Sequence, residues 1–161
     1  MKKEYSVEEA RNKAEAYCSV AERCPMEVAT KLTQWGVSAE SVDEIIGQLI
    51  KEKFIDSLRY AKAFTRDKYR FNQWGRVKIA QALRMKQIAS AEIRLALEEI
   101  DEEEYRSILR SLMAKKLKTI KAANDYERSG KLIRFAVGHG YEMESILDCM
   151  KQLGCEDESF D

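Results

Sequence analysis

Four cysteines and one histidine are the side chains best suited to nucleophilic, redox or metal chemistry, and their spacing points away from all three. Cys18 and Cys24 enclose five residues, as do Cys149 and Cys155, whereas zinc knuckles separate paired thiolates by two to four. The thiols read as buried or incidental. His139 is the only histidine. It stands in Gly138-His139-Gly140-Tyr141, where it reads as a group that caps helix carbonyls or packs rather than as a general base. No phosphate-cradling G-x-x-x-x-G-K-[ST] or G-x-G-x-x-G, no G-x-S-x-G elbow and no H-E-x-x-H helix occurs, so these routes to catalysis have no support in the sequence. The acid pair Glu98-Glu99 reads as exposed helix. The expectation is a protein that is not an enzyme and uses no cofactor or metal.

What remains is ionic chemistry. The net formal charge is zero, yet residues 51–86 hold eleven Lys or Arg against three Asp or Glu, and residues 110–134 hold eight against two. Carboxylates dominate 92–104 and 135–161. On a helix starting after Asp56, Arg59, Lys62, Arg66 and Arg70 are spaced 3, 4 and 4 and form one stripe. Lys115, Lys118 and Lys121, at spacing 3, form a second row on the helix that opens the last third of the chain. A single cationic stripe is ordinarily a solvated face. Segregation of the signs along the chain instead creates a field that steers an anionic partner, either nucleic acid or an acidic protein groove. Tyr69 and Phe71 add aromatic candidates among the cations. Trp35 and Trp74 precede glycines at turns, which admits base stacking, although packing at a core or hinge is the stronger reading.

These groups must be positioned by helices. The chain has 161 residues, 45% apolar and 35% charged, with one proline and seven glycines, the composition of a helical globular protein able to bury roughly 70% of its unfolded surface. The run MKKEYSVEEARNKAEAY lacks the apolar core of a signal peptide, and no stretch approaches the ~20 apolar residues of a membrane span. The expected location is therefore cytoplasmic. Ser6-Val7-Glu8-Glu9 reads as a capping box for a helix to about Arg23. Pro25 suits a first helical turn, Gly36 a left-handed end, and Ser38 a further start. Asp56 and Ser90 read as caps, Trp74-Gly75 as a break, and Asp101-Glu102-Glu103-Glu104 as another capping box.

The apolar residues repeat. Val28, Leu32, Val37, Val42, Ile46 and Leu49 have spacings 4, 5, 5, 4 and 3. The same spacings recur in Ile79, Leu83, Ile88, Ile93, Leu97 and Ile100, and again in Leu132, Ala136, Tyr141, Ile146, Met150 and Leu153. Four-residue steps keep one helix face, while the five-residue steps straddle turns at Gly36, Gln87 and Gly140. The predicted fold is all-α: three tandem three-helix units, 6–55, 56–100 and 101–154, stacked by apolar faces into an elongated, slightly curved array, followed by an acidic tail at 155–161. The first hairpin, LTQWGVSAESVDEIIGQLI, has the look of a helix-turn-helix. Its second helix, however, carries Glu40, Asp43 and Glu44 where a groove-reading helix wants cations, so it reads as scaffold.

In the middle unit, Phe54-Ile55-Asp56, Arg59-Tyr60-Ala61, Gly75, Ile79, Leu83, Ile88 and Ala96-Leu97 form a pattern, with looser agreement at the Leu32 to Val37 turn and at Gly140-Tyr141. This pattern resembles that of the bacterial RecX regulatory proteins, modulators of the RecA recombinase. Two departures stand out: Cys24-Pro25-Met26-Glu27 replaces a serine-glutamate pair, and Ser57 replaces a frequent aspartate. The resemblance implies a non-enzymatic protein that lies in the groove of the RecA filament on DNA and reduces strand exchange and ATP hydrolysis or promotes disassembly. The partner-binding residues expected are Arg59, Lys62, Arg66, Arg70, Lys115, Lys118 and Lys121. The partners expected are the RecA filament and, in the competing reading, DNA held directly by the same stripes. A monomer is the default.

Overall fold

A computed structural model describes residues 5–155, and among them it contains nine α-helices and no strand. In chain order these are α1 (Val7–Val20), α2 (Pro25–Gln34), α3 (Ala39–Lys51), α4 (Ser57–Arg70), α5 (Arg76–Met85), α6 (Ser90–Glu98), α7 (Glu102–Leu117), α8 (Asp125–Gly138) and α9 (Met143–Gln152). They form three successive groups of three. Residues 156–161, most of the expected acidic tail, lie outside the described residues.

The helices start where polar caps satisfy the first free amides. Ser6 Oγ accepts from Glu9 N at 3.1 Å, Ser38 Oγ from Ser41 N at 3.4 Å, Asp56 Oδ1 from Arg59 N at 2.9 Å and Asp101 Oδ1 from Glu104 N at 2.8 Å. At α2 the Glu27 carboxylate accepts from Cys24 N at 3.1 Å, so the Cys24-to-Glu27 stretch still closes the helix start. Two boundaries differ from expectation. The α1 helix ends at Val20 because Ala21 is fully extended, while Arg23 turns back to donate to the Tyr17 carbonyl at 3.2 Å. Ser90 is the first residue of α6 rather than its cap, and the carbonyl of Ala89 accepts from both Glu92 N and Ile93 N.

The repeated spacing becomes a repeated turn. Val37 N donates to Leu32 O at 3.1 Å, Ile88 N to Leu83 O at 3.1 Å, and Tyr141 N to Ala136 O at 3.2 Å. Each of these bonds reaches back over a residue with positive φ: Gly36 (86°), Gln87 (62°) and Gly140 (93°). This is the Schellman closure of a helix C-terminus, at the same place in each repeat. Every residue of the three apolar sets is buried, except Val37, Ile46, Leu97 and Leu153, which are half-buried.

The contacts divide the chain into two compact units: the chain up to Phe64 with Leu83–Ala96, and Thr65–Ala82 with the chain from Leu97 onward. In the first, Ala10, Ala14, Cys18, Val28, Leu32, Val42, Ile45, Leu49 and Ile55 form one apolar cluster, with Tyr17, Trp35 and Phe54 packed on its rim. In the second, Tyr105, Leu109, Met113, Leu132, Ala136, Ile146 and Met150 are buried where α7, α8 and α9 meet.

The sequence leads one to expect apolar packing between repeats. Inside the second unit, the connection from α4 to α5 meets the turn from α8 to α9 backbone to backbone. Gly75 N donates to His139 O at 2.7 Å and Val77 N to Gly140 O at 2.9 Å. Tyr141 Oη donates to Gln73 O at 3.0 Å, and Tyr105 Oη accepts from Arg76 N at 3.0 Å. The Arg76 guanidinium stacks 4.1 Å from the Tyr105 ring centre and pairs with Glu102 and with Glu142, the latter at 2.8 Å.

Candidate cationic interface

Helix α4 is continuous from Ser57 to Arg70 and carries all four residues of the first expected stripe. Its cations are not equivalent. Arg59 Nε holds both oxygens of Glu22, at 2.8 and 2.6 Å, and another of its guanidinium nitrogens donates to Lys53 O at 3.1 Å. Arg70 Nε donates to Glu104 Oε1 at 2.6 Å. Each of these arginines is thus largely neutralised within the protein, and its presence in a charge count overstates what it offers a partner. Lys62 is half-buried. Arg66 is exposed, and its side chain forms no ion pair or hydrogen bond among the described residues.

The two aromatics beside the stripe separate completely. Tyr69 is 2% exposed and belongs to the interior, which corrects its candidacy, while Phe71 is 80% exposed. A helix face explains the difference: Ala61, Thr65 and Tyr69, spaced by four, all turn inward. Leu58 and Phe64 are half-buried. Trp74 is half-buried with the ammonium groups of Lys68 and Lys78 4.8 and 4.5 Å from its ring centre. Trp35 packs on the first unit's core beneath Lys13 at 4.5 Å. Both indoles are occupied by packing and cations.

The second expected row is broken by the end of α7. Lys115 lies in the last turn, Lys118 is the C-cap, and Lys121 falls beyond the helix. Thr119 is the cause: its amide and its hydroxyl both donate to Lys116 O at 2.9 Å, which closes the turn with i to i−3 bonds. Lys121 is carried into an open cleft of about 600 Å³ with Lys116, Thr119, Ile120, Lys131, Arg134 and Phe135. Lys131 Nζ donates to Lys121 O at 2.6 Å and pairs with Glu127 at 3.2 Å. The Ala123 amide and then Lys131 hold the Glu127 carboxyl below its ordinary range. Lys116, Lys131 and Arg134 were not expected from the sequence. The signal was there in Lys131 and Arg134 at spacing 3 on α8, but only the end of α7 brings them to Lys121.

Arg70 reaches Glu104 in the first turn of α7, and Lys115 sits eleven residues later. Along that helix Lys115 therefore lies about 16 Å from the residue that Arg70 holds. Burial pushes the thiols of Cys18, Cys24 and Cys149 up, so they stay protonated packing groups. His139 packs on Phe135 with ring centres 4.6 Å apart. No group of three or more His, Cys, Asp or Glu among the described residues could hold a metal ion. None of the described helices is long and apolar enough to cross a membrane.

The three-helix groups have known counterparts. Sequence patterns for the first, second and third three-helix domains of RecX match residues 10–49, 56–97 and 102–150. The chain belongs to the RecX family. The regulatory protein RecX of Clostridium botulinum is 31% identical over 128 residues, covering 78% of this chain and 59% of that protein. That of Prosthecochloris aestuarii is 27% identical over 146 residues, covering 89% and 93%. This chain spans 53–59% of the length of some of the RecX proteins it matches. The crystal structure of RecX from Lactobacillus salivarius superposes with a TM-score of 0.80 at 20% identity, over 93% of this chain and 97% of that one. The fold is thus the RecX fold, three three-helix domains in tandem.

Proposed function

We propose that this chain is a non-enzymatic regulator of the RecA recombinase. It acts as a cytoplasmic monomer, engages the RecA filament on DNA, and reduces strand exchange and ATP hydrolysis or promotes disassembly. Family membership supports the class of partner. The observation that carries the contact is local: Arg66, exposed and without an ion-pair partner among the described residues, stands five residues from Phe71, 80% exposed at the end of the same helix. An exposed apolar anchor and an available guanidinium about 7.5 Å apart along the helix axis, on different faces at a five-residue spacing, suit a protein surface that offers an apolar pocket and a separate carboxylate. Lys115 and Lys118, also exposed, supply a second contact that begins about 16 Å along α7 from the residue that Arg70 holds. Two modest contacts on one chain gain avidity against a repeating partner. Lys62 and the ion-paired Arg59 and Arg70 flank the first contact, and Lys121 flanks the second.

The decisive measurement is co-sedimentation with RecA filaments assembled on single-stranded DNA, alongside filament ATPase. The wild-type chain sediments with filaments and lowers ATP turnover. Arg66→Glu with Phe71→Ala weakens binding by about ten-fold or more. This pair is cleaner than Arg59→Glu or Arg70→Glu, which would leave Glu22 or Glu104 without a partner inside the protein. No sedimentation and no inhibition by the wild type excludes the function. Wild-type binding by the double variant excludes the α4 contact. Labelled DNA titrated without recombinase separates the competing reading, because a primary DNA binder shows strong affinity that falls steeply with salt.

A further inference from the structure

The cleft at the end of α7 gathers cations from α7, α8 and the segment between them. Its lining holds four cations, Lys116, Lys121, Lys131 and Arg134, with Thr119 and two apolar residues, Ile120 and Phe135. The one carboxylate engaged with these cations among the described residues is Glu127, already bound by the Ala123 amide and Lys131. The Lys121 side chain forms no ion pair or hydrogen bond among the described residues, and that of Arg134 makes none within bonding distance, although its charge helps to lower the Glu127 carboxyl. Attraction of Lys115 and Lys116 to the C-terminal carbonyls of α7 explains those two lysines without a ligand. It does not explain Lys131 and Arg134, which enter from the middle of α8. Cations converging on one small space repel each other, and the arrangement is relieved by an anion bearing several charges. A single carboxylate would leave most of them uncompensated.

The remaining lining narrows the ligand. About 600 Å³ lies within the range of sites for small organic ligands. Lys131 is held by the Lys121 carbonyl at 2.6 Å, so part of the site is ordered before anything binds, which lowers the entropic cost of binding. Ile120 and Phe135 offer an apolar wall, and Lys116 Nζ rests 5.0 Å from the Phe135 ring centre, over the face that a planar ring would take. We propose that this cleft binds a nucleoside di- or triphosphate, with its phosphates on Lys121, Lys131 and Arg134 and its base against Ile120 and Phe135 in the place of the Lys116 ammonium. Planar guanidinium donors match phosphate oxygens in pairs, which assigns Arg134 the largest share of the affinity. The site stands apart from Arg66 and Phe71 and does not depend on the filament reading.

The test is a fluorescence titration of the full chain with N-methylanthraniloyl-ADP in low salt. Arg134→Glu and, separately, Lys131→Gln are the variants, with thermal melting to check the fold. Saturable binding of one nucleotide per chain, weakened about ten-fold by Arg134→Glu and unchanged by Arg66→Glu, supports the site. Three results overturn it: no saturable binding at millimolar nucleotide, equal binding by folded Arg134→Glu, or displacement by tripolyphosphate as effectively as by ADP, which would leave the base unrecognised. Displacement by a thymidine oligonucleotide or a poly-aspartate peptide at far lower concentration than ADP also overturns it, in favour of a strand or an acidic partner.

Discussion

Replacing Gly75 with alanine tests the backbone contact within the second unit directly. A Cβ at this position would lie 2.3 Å from the carbonyl carbon and oxygen of Gly140 and 2.4 Å from Tyr141 N. Every atom it strikes is backbone, so no side chain can rotate away, and the α4–α5 connection must separate from the α8–α9 turn. That separation breaks Gly75 N to His139 O and Val77 N to Gly140 O, each worth about 1 kcal/mol net. Strain from the misfit adds roughly 1–3 kcal/mol. The sum, about 3–5 kcal/mol, lowers the melting temperature of a chain this long by roughly 6–20 °C. The assay is a thermal melt followed by circular dichroism, with Gly47→Ala as control. Gly47 lies inside α3, and a Cβ added there would have no heavy atom within 4 Å, so alanine at that position raises stability by roughly 0.5–1 kcal/mol. If Gly75→Ala melts within about 2 °C of wild type, the close approach is not a constraint and the reasoning fails.

Gln87 occupies with a side chain the left-handed position that its two counterparts fill with glycine, at φ 62°. Gln87→Gly removes a conformational cost of about 1–2 kcal/mol and adds a smaller loss of chain entropy. The melting temperature should rise by a few degrees, and a fall would refute the strain reading. Glu102 is hydrogen-bonded by Arg76 and Arg106, which hold its carboxyl below its ordinary value. Its folded-state value is depressed, so its stabilisation is fully present above the ordinary carboxylate pKa of about 4.3 and is lost as pH falls through the lowered value. Melts of wild type and Glu102→Gln from pH 7 to pH 3 should differ by a constant amount down to about pH 5 and converge below about pH 4. Half-exposure of the pair keeps that difference under about 1 kcal/mol, and divergence at low pH would contradict the assignment.

The fold was legible because its signals are local. Caps lie within three residues of what they cap, and the five-residue step across Gly36, Gln87 and Gly140 is a turn written into the spacing of apolar side chains. The interface was legible only in part, since charge counting cannot see who pairs with whom. Glu22 and Glu104 lie 37 and 34 residues from the arginines they neutralise, so Arg59 and Arg70 look the same in the sequence as Arg66. Tyr69 and Phe71 differ by two residues, and only the position of the α4 inner face tells them apart. The cleft is hidden in the sequence for a subtler reason. Lys121 continues a helical row at the correct spacing, and one threonine capping Lys116 ends the helix before that row is complete.

The division of contacts into two units, with its boundaries falling partway along α4, α5 and α6, bears on how the molecule can be dissected. Cutting at the loops that separate the three sequence repeats severs no helix but strands half of the middle repeat's packing on each fragment. Cutting at the contact boundaries keeps the packing but has to pass through three helices. Truncation is therefore a poor tool for assigning roles to parts of this chain, and point substitutions such as those above are the instrument that its connectivity permits.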